Sequence, residues 1–298
     1  MRIVDVDEGL EEARDILSRG GLVAVPTETV YGLAADASDP DAVARIYAAK
    51  GRPAFNPLIV HVASIGAASD YAHISERALD LMEEHWPGPL TIVLPLKPGR
   101  LAPAVTAGLA TVALRNPRGP LARLAVERGL AAPSANRSGH VSPTCAAHVA
   151  DDLGEAVDLV LDGGECPVGV ESTVIAVEGD AIRLLRPGAI EIADAKAGTG
   201  DVIEAPGMMR SHYAPSAAMR LNVTEPNEGE AMLGFGAVHG DLNLSEGADV
   251  EEAARNLFAM LRVLDGRAGR IAVAPVPNHG IGRAVNDRLA RAAAPRGT

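Results

Sequence analysis

The chain has 298 residues, of which 47% are hydrophobic and 22% charged, and its formal net charge is −12. This length allows one large domain or two modest ones, and the composition is ordinary for a protein with a hydrophobic core. The negative charge weighs against a protein whose main task is to hold nucleic acid, because neutralising phosphates requires clustered Lys and Arg.

Hydrophobic periodicity predicts helices and strands that alternate through the first 190 residues. The chain begins with an amphipathic helix over 8–19, which Gly20 and Gly21 end. The other predicted elements are strands at 22–25, 58–62, 91–94, 111–114, 130–132, 159–161, 173–177 and 182–185, and helices at 40–49, 76–85, 120–128 and 143–150. This alternation is typical of an α/β domain, and the close spacing of the last three strands predicts a mixed sheet.

The composition changes after residue 190. Residues 191–206 are rich in Ala, Asp, Gly and Thr, which favours a linker, whereas APGMMRSHYAP over 205–215 carries His, Tyr and Arg and is not typical of one. A small second α/β unit follows, with strands predicted at 219–223 and 271–274 and helices at 250–264 and 282–293. We therefore expect a domain over 1–190, a linker or lid segment over 191–218, and a small α/β domain over 219–298.

Two features bear on the location of the protein. The two cysteines, Cys145 and Cys166, do not suggest a disulfide framework, and no apolar run approaches the roughly 20 residues that cross a bilayer. The acidic start MRIVDVDEGLEEARDIL is not typical of a signal peptide. These observations predict a cytoplasmic protein with no membrane association.

Polar residues follow the first predicted strand in the motif PTETVYGL over 26–33. In open α/β sheets ligands bind beyond the carboxyl ends of strands, so hydroxyls, a carboxylate and a Gly at this place suit a binding site. On residue types alone, however, a polar turn is the better explanation, because such turns are common.

The motif KGRPxxNPL over 50–58 joins a predicted helix to the next strand. Lys50 and Arg52 lie two residues apart on a rigid Gly-Pro backbone, and such cations suit phosphate oxygens. The helix dipole also favours cations at a helix carboxyl end, which explains the two residues equally well when they are taken alone. Lysine occurs at only three positions in the chain, and this scarcity favours a phosphate-binding role.

The motif APSANRSG over 132–139 again follows a short strand. Its small hydroxyl and amide groups, with a Gly, would let backbone N–H groups approach a phosphate or a carboxylate. Clusters of this kind are usually ordinary loops, so the motif is weak by itself.

Single polar residues mark other strand ends. Arg115 ends TVALR, Ser172 lies in VESTVI, and Arg186 precedes a Pro-Gly turn. Each fits an ordinary surface group when taken alone. His61, at the end of an apolar strand, is more often a structural histidine than a ligand.

Several well-marked site types do not occur in the sequence. It contains no Walker A motif, no GxGxxG and no GxSxG. Cys145 and His148 have ligand-like spacing, but no second pair accompanies them. We therefore predict no metal site built from protein ligands alone.

Taken together, these motifs resemble the threonylcarbamoyladenylate synthase family, whose members contain a YrdC-like domain. The resemblance rests on PTETVYGL, KGRPxxNPLIVH, TVALR, SANxSG, VESTVI and an RPG turn, in the family's order across about 10–190. The segments GMMRSHYAP and AVNDRLARAA resemble the two-domain branch with a C-terminal extension domain. The resemblance implies an α/β fold with a twisted mixed sheet, followed by a linker and a small α/β domain.

The resemblance also implies an activity. Members of the family are nucleotidyltransferases that make L-threonylcarbamoyladenylate and pyrophosphate from L-threonine, bicarbonate and ATP, with Mg²⁺ expected on the ATP phosphates. The product feeds the threonylcarbamoyladenosine modification of tRNA through a threonylcarbamoyl-transferase partner. This chain would therefore need no strong contact with nucleic acid of its own.

Motif matching assigns two groups of site residues. The ATP contacts would be Lys50, Arg52, Asn56, Thr111, Asn136, Thr144, Arg186 and Tyr213. The L-threonine contacts would be Thr29, His61, Arg115, Ser134 and Ser172. Lys50 and Arg52 are the catalytic candidates, because transfer at phosphorus needs positioning and charge stabilisation more than a protein nucleophile. Tyr213 would belong to a lid over the nucleotide.

Two other functions stay open at this point. YrdC-like domains also occur in carbamoyltransferases that act through a carbamoyl-adenylate, but those proteins carry zinc-finger or acylphosphatase-like modules that no Cys pattern here supports. YrdC-like modules that bind RNA present a concave basic surface, and the net charge of −12 argues against that role.

Overall fold

The structure, a computed structural model, describes residues 1–198 and 203–295, and the strands within these ranges form two β-sheets. The strands of the larger sheet are β1 (Arg2–Asp5), β2 (Val23–Val25), β3 (Gly32–Asp36), β4 (Ile59–His61), β5 (Leu90–Pro95), β6 (Thr111–Arg115), β7 (Leu130–Ala131), β8 (Leu159–Asp162), β9 (Thr173–Glu178), β10 (Ala181–Arg186) and β11 (Lys196–Ala197). Their order across the sheet is β1-β8-β2-β3-β7-β4-β6-β5-β9-β10-β11. The sheet contains both parallel pairs, such as β4 with β6, and antiparallel pairs, such as β5 with β6, which confirms the predicted mixed sheet.

Helices pack on both faces of this sheet. They are α1 (Val6–Ser18), α2 (Pro40–Lys50), α3 (Ile65–Ala68), α4 (Glu76–His85), α5 (Pro120–Leu124) and α6 (Ala146–Leu153). Ala24 of β2 lies in the same core as α2 and α4, whereas Val23 and Val25 pack with α1 and α5. Because both faces are covered, the central strands read as continuous apolar runs, and this is why the sequence reveals them.

The smaller sheet is parallel and follows residue 217. Its strands are β12 (Ala218–Arg220), β13 (Ala231–Gly234), β14 (Leu242–Asn243) and β15 (Arg270–Val273), in the order β12-β15-β13-β14. It packs with α7 (Val250–Asp265), which Asp249 caps, and with α8 (Gly282–Ala293). Among the described residues, no helix is long and apolar enough to cross a membrane.

Several predicted elements need correction. The sequence did not reveal β1, β3, β13 and β14, and GLAAD in β3 has neither β-branched nor aromatic residues that would mark a strand. The helix predicted over 120–128 ends at Leu124, because the chain must bring Gly129 against the core, where its N–H donates to the Tyr71 hydroxyl at 2.8 Å. The helix predicted over 143–150 spans Ala146–Leu153.

The division of the chain into three parts stays a prediction. Residues 199–202 of the predicted linker and 296–298 of the predicted C-terminal domain lie outside the described residues. Within 191–206, Lys196–Ala197 forms β11 and pairs with β10, so the larger sheet extends into the segment expected to be a linker.

The two sheets belong to units that share a common core. Val30, Val141 and Val170, from loops of the larger-sheet unit, lie in the same hydrophobic cluster as the buried residues of α7 and α8. Arg262 of α7 also donates to Asp152 of α6 at 2.8 Å. The two units are also in close contact at Gly169, where an added Cβ would lie 2.4 Å from the Arg255 Cα and 2.5 Å from the Ala254 carbonyl oxygen.

We predict that Gly169→Ala weakens this contact. Gly169 has φ +80°, so alanine adds backbone strain as well as overlap with α7, and the free energy of unfolding should fall by roughly 1–3 kcal/mol. Gly164→Ala is the matched control, because Gly164 has φ +75° with nothing within 4 Å of an added Cβ. Chemical denaturation of both variants checks the prediction, and equal losses of stability would contradict it.

Candidate active site

A pocket lies where the carboxyl ends of β4 and β6 meet the loop after β2, the end of β10 and the segment around 206–213. Its cavity has a volume of about 40 Å³. The sequence-predicted residues that line it are Thr29, Arg52, His61, Arg115, Ser134, Ser172, Arg186 and Tyr213. The structure therefore brings together groups from both predicted substrate sets, although their contacts with substrates stay predictions.

Arg115 and His61 stand side by side at one wall, because β4 and β6 run parallel and pair in this register. Arg115 is 4% exposed and donates to the Thr29 hydroxyl at 3.0 Å and to the Gly88 carbonyl at 3.2 Å. Its Nη2 lies 2.8 Å from Glu28 Oε2, but without the alignment of a hydrogen bond. In this buried ion pair Glu28 compensates the charge of the Arg115 guanidinium.

His61 is neutral in this environment. Burial lowers the pKa of His61 to about 3, and the positive charge of Arg115 adds to the effect. Its Nδ1 is buried and has no hydrogen-bond partner among the described residues. Because a buried polar atom without a partner is costly, Nδ1 is a candidate ligand contact.

Arg52 shapes the loop after α2 and also faces the pocket. Its Nε donates to the Asn56 carbonyl at 3.0 Å, and its Nη2 donates at 2.7 Å to the Asn56 side chain and to the Pro57 carbonyl. Burial lowers the pKa of Arg52 to about 10, which leaves the group cationic at neutral pH. Asn56 is fully buried behind it, and its amide reaches the Met209 sulfur at 3.5 Å.

Lys50 lies behind the pocket wall and does not line it. Its Nζ donates to the Ser134 carbonyl at 2.6 Å and to the Asn136 carbonyl, so the ammonium holds the SANRSG motif in place. Burial lowers the pKa of Lys50, and the nearby Arg52 charge acts in the same direction. The predicted contact of Lys50 with ATP stays a prediction.

Arg186 joins the end of β10 to two other parts of the chain. Its Nε and Nη2 donate to the carbonyl and the hydroxyl of Ser172 at 3.1 and 3.0 Å. Its Nη1 donates to the Pro206 carbonyl at 3.1 Å. Arg186 therefore connects the sheet to the segment that closes the pocket.

Tyr213 covers the pocket and forms its roof. It adopts φ +62°, a conformation that non-glycine residues rarely take, and its hydroxyl is buried without a hydrogen-bond partner among the described residues. Its ring stacks on Phe258 with centroids 5.8 Å apart, and His212 lies beside it. Burial and the charges of Arg52 and Lys50 lower the pKa of His212 well below its usual value.

Five predicted ATP contacts do not line the pocket: Lys50 and Asn56, which lie behind it, and Thr111, Thr144 and Asn136. Thr111 begins β6, whereas Arg115 ends it, so Thr111 lies in a separate groove beside Pro95 and Glu178. The hydroxyl and the backbone N–H of Thr144 both form hydrogen bonds with His148 Nδ1, at 3.3 and 3.2 Å.

The side-chain amide of Asn136 is used within its own loop. Its Nδ2 donates to the Arg137 and His140 carbonyls at 2.7 and 2.9 Å, and its buried Oδ1 has no partner among the described residues.

Glu171 and Arg288 are the main residues that the sequence analysis missed. Glu171 lines the pocket and accepts from Arg288 Nε at 2.8 Å. Arg288 is fully buried on α8 at helical spacing from Ala284, Val285 and Ala292. A charged residue in the apolar stripe of an amphipathic helix is the signal that could have revealed it. No group of three His, Cys, Asp or Glu that could hold a metal occurs in 1–198 or 203–295.

Comparison with known proteins extends over nearly the whole chain. The Sua5, YciO and YrdC family model, described as "Telomere recombination", matches residues 15–188, and a model described as "Threonylcarbamoyl-AMP synthase, C-terminal domain" matches 174–294. The threonylcarbamoyl-AMP synthase of Bacillus subtilis is 41% identical over 97% of this chain and 94% of its own length. That of Pyrococcus abyssi is also 41% identical, over 97% of each chain. The crystal structure of P. abyssi Sua5 complexed with L-threonine matches with a TM-score of 0.90 at 39% identity, covering 98% of both chains.

The buried histidine predicts a pH dependence of stability. His61 has a pKa of about 3 when folded, against 6.5 when exposed, so the unfolded chain binds the proton first as the pH falls and stability is lost below pH 6.5. His61→Asn should therefore reduce the slope of unfolding free energy between pH 6.5 and about 5, by up to ~1.4 kcal/mol per pH unit. His148 and His212, whose pKa values are also lowered, account for the remaining slope.

Urea unfolding at several pH values measures this slope. His279→Asn, at an exposed position, is the control and should keep the wild-type slope. A His61→Asn slope equal to that of the wild type would show that His61 is not held neutral.

Proposed function

The chain belongs to the threonylcarbamoyl-AMP synthase family, and from that premise we propose that it makes L-threonylcarbamoyladenylate and pyrophosphate from L-threonine, bicarbonate and ATP. The observation that carries the proposal is the convergence of Arg52, Arg115 and Arg186 with a neutral His61 on one pocket. This set binds and stabilises anions, as transfer at phosphorus requires, and it offers no nucleophile–base pair for covalent catalysis. As a member of the nucleotidyltransferases, the enzyme would transfer the AMP part of ATP.

The wall of Arg115 and His61 suits L-threonine. A guanidinium can bind the amino-acid carboxylate, and Glu28 beside it compensates charge when no ligand is present. The Thr29 hydroxyl and His61 Nδ1 supply neutral hydrogen-bonding groups for the amine and the hydroxyl of threonine. A side chain that recognises this hydroxyl in a buried site would discriminate strongly against valine.

The wall of Arg52 and Arg186 suits the phosphates of ATP. Both guanidiniums are held by carbonyl or hydroxyl groups, so the pocket retains their positive charge. Tyr213, whose hydroxyl has no hydrogen-bond partner within 1–198 and 203–295, lines the same pocket. Mg²⁺ would enter with ATP, bound to its phosphates.

The chemistry proceeds in two steps. The amine of threonine adds to the carbon of bicarbonate, water leaves, and a carbamate forms. A carbamate oxygen then attacks the α-phosphorus of ATP while the bond to pyrophosphate breaks. Arg52 and Arg186 would stabilise the charge that develops on the phosphoryl oxygens and on the leaving pyrophosphate.

The segment over 206–213 would have to move during the cycle. Four residues of this segment line the pocket, and Tyr213 is only 1% exposed, so the segment covers the space that ATP would enter. Tyr213, at the pocket roof, would act as part of a lid that opens for ATP and closes over it.

The remaining expectations from the sequence also stand as proposals. The product would pass to a threonylcarbamoyl-transferase that acts on tRNA, and the net charge of −12 fits a protein that leaves tRNA binding to its partner. The free thiols of Cys145 and Cys166 are compatible with a cytoplasmic location. The two sheets would correspond to a catalytic domain over 1–190 and a small domain over 219–298, joined by 191–218.

Pyrophosphate release tests the proposed reaction directly. We predict release from ATP that requires both L-threonine and bicarbonate, because the attacking carbamate needs both. Incubations that omit each substrate in turn, with the nucleotide product identified by mass spectrometry, measure this dependence. Release that continues without threonine would refute the proposal.

Substitution of Arg52 tests the phosphate wall. Arg52→Lys keeps the charge but loses the planar fork, so kcat/KM for ATP should fall by on the order of 10-fold or more. Arg123→Lys, on the exposed surface of α5, is the matched control and should behave as the wild type. Wild-type kinetics in Arg52→Lys would show that Arg52 does not contact the reacting phosphates.

A further inference from the structure

Arg288 is a buried cation that connects the smaller unit to the pocket. It lies on α8, is 0% exposed and is the largest fully buried side chain in the described part of the chain. Its Nη1 donates to Asp287 at 2.7 Å within the same helix. Its other hydrogen bonds reach the larger-sheet unit, to the Glu171 carboxylate, the Glu171 carbonyl and the Pro187 carbonyl.

These contacts flank two of the pocket residues. Glu171 directly precedes Ser172, and Pro187 directly follows Arg186. Ser172 and Arg186 are hydrogen-bonded to each other, so one guanidinium fixes the backbone on both sides of this pair. A substitution of Arg288 would therefore alter the position of Arg186, although Arg288 itself need not contact a substrate.

Arg288 also contacts the roof of the pocket. Its guanidinium carbon lies 5.1 Å from the centroid of the Tyr213 ring, within the range of a cation–π interaction. Phe258 of α7 stacks on the same ring, with the centroids 5.8 Å apart. The same residue thus contacts Glu171 in the wall and Tyr213 above it.

The charge of Arg288 matters as much as its geometry. Glu171 lines the pocket, and its two carboxylate oxygens are held by Arg288 and by the Ser142 hydroxyl. Burial alone would raise the pKa of Glu171, but Arg288, Arg186 and Ser142 outweigh it and lower the pKa. Without Arg288, an anionic Glu171 would compete with the phosphates of ATP for Arg186.

We propose that Arg288 is a positioning residue for the reaction: it neutralises Glu171 and holds Arg186 and Tyr213 in the arrangement that binds the phosphates of ATP. This inference rests on the proposed function. It assigns the smaller unit a direct part in building the pocket. Of the predicted threonine contacts, Thr29, His61, Arg115 and Ser134 have no contact with Arg288 among the described residues, and only Ser172 follows a residue that Arg288 binds, so the affinity for threonine should change less than that for ATP.

Steady-state kinetics of Arg288→Gln tests the proposal. We expect the KM for ATP to rise and kcat to fall, each on the order of 10-fold, because small displacements of phosphate-binding groups are costly, while the KM for threonine stays within about threefold. Arg283→Gln is the matched control on the same helix, because Arg283 is exposed and forms an exposed ion pair with Glu191 at 3.6 Å. This variant should keep wild-type kinetics.

A double substitution separates positioning from simple stability. Glu171→Gln with Arg288→Gln removes both buried charges, so the KM for ATP should recover at least partly towards the wild-type value relative to Arg288→Gln alone. Arg288→Lys, which keeps the charge with fewer hydrogen bonds, serves if Arg288→Gln does not fold. Thermal unfolding of each variant shows how much stability is lost.

The outcomes are distinct. Folded Arg288→Gln or Arg288→Lys protein with wild-type ATP kinetics would overturn the proposal, and so would equal losses for ATP and threonine that follow thermal stability. Calorimetric binding of a non-hydrolysable ATP analogue tests Arg288 independently of turnover. If the wild type bound the analogue but released no threonine-dependent pyrophosphate, the proposed function would fail while the role of Arg288 in nucleotide binding could still be measured.

Discussion

The residues Lys50, Arg52, Arg115, Arg186 and Arg288 are cations that are each less than 9% exposed, and all of them lie in or around one pocket. A buried charge without compensation costs several kcal/mol, so the surrounding chain must supply a partner for each of them. Loops with little regular structure supply these partners. The positions of SANRSG, VEST and the turn after β10 therefore follow from the need to satisfy buried cations.

The kind of partner differs between the two walls. Arg52 and Arg186 are held by carbonyl, amide and hydroxyl oxygens, which satisfy donors without cancelling the charge. Arg115 lies beside the carboxylate of Glu28, which largely cancels its charge. One wall is therefore positive and suits a polyphosphate, whereas the other is close to neutral and suits an amino acid that carries both charges.

Arg288 extends this arrangement to the smaller unit. Its ion pair with Glu171 neutralises a carboxylate that would otherwise repel anions from the pocket. Its guanidinium also contacts Tyr213, so the roof of the pocket packs on the same ion pair. The shared hydrophobic cluster and the close approach at Gly169 hold α7 and α8 against the loops that carry these residues. The pocket is therefore a product of both units.

The sequence by itself determined the alternation of elements, the mixed sheet and the strand ends where Arg115, His61, Ser134 and Ser172 would lie. It could do so because apolar periodicity and Gly-Pro turns act over a few neighbouring residues. It did not reveal β3, whose residues lack strand-forming side chains, and motif matching expected Thr111 to contact ATP, although it lies at the opposite end of β6 from Arg115.

Only the tertiary structure decided which cations line the pocket and which lie behind its lining. Lys50 turns towards carbonyls more than 80 positions away, and Arg288 meets Glu171 at a separation of 117 residues. Such contacts depend on how sheets and helices pack together, and the local pattern of residues carries no information about that packing.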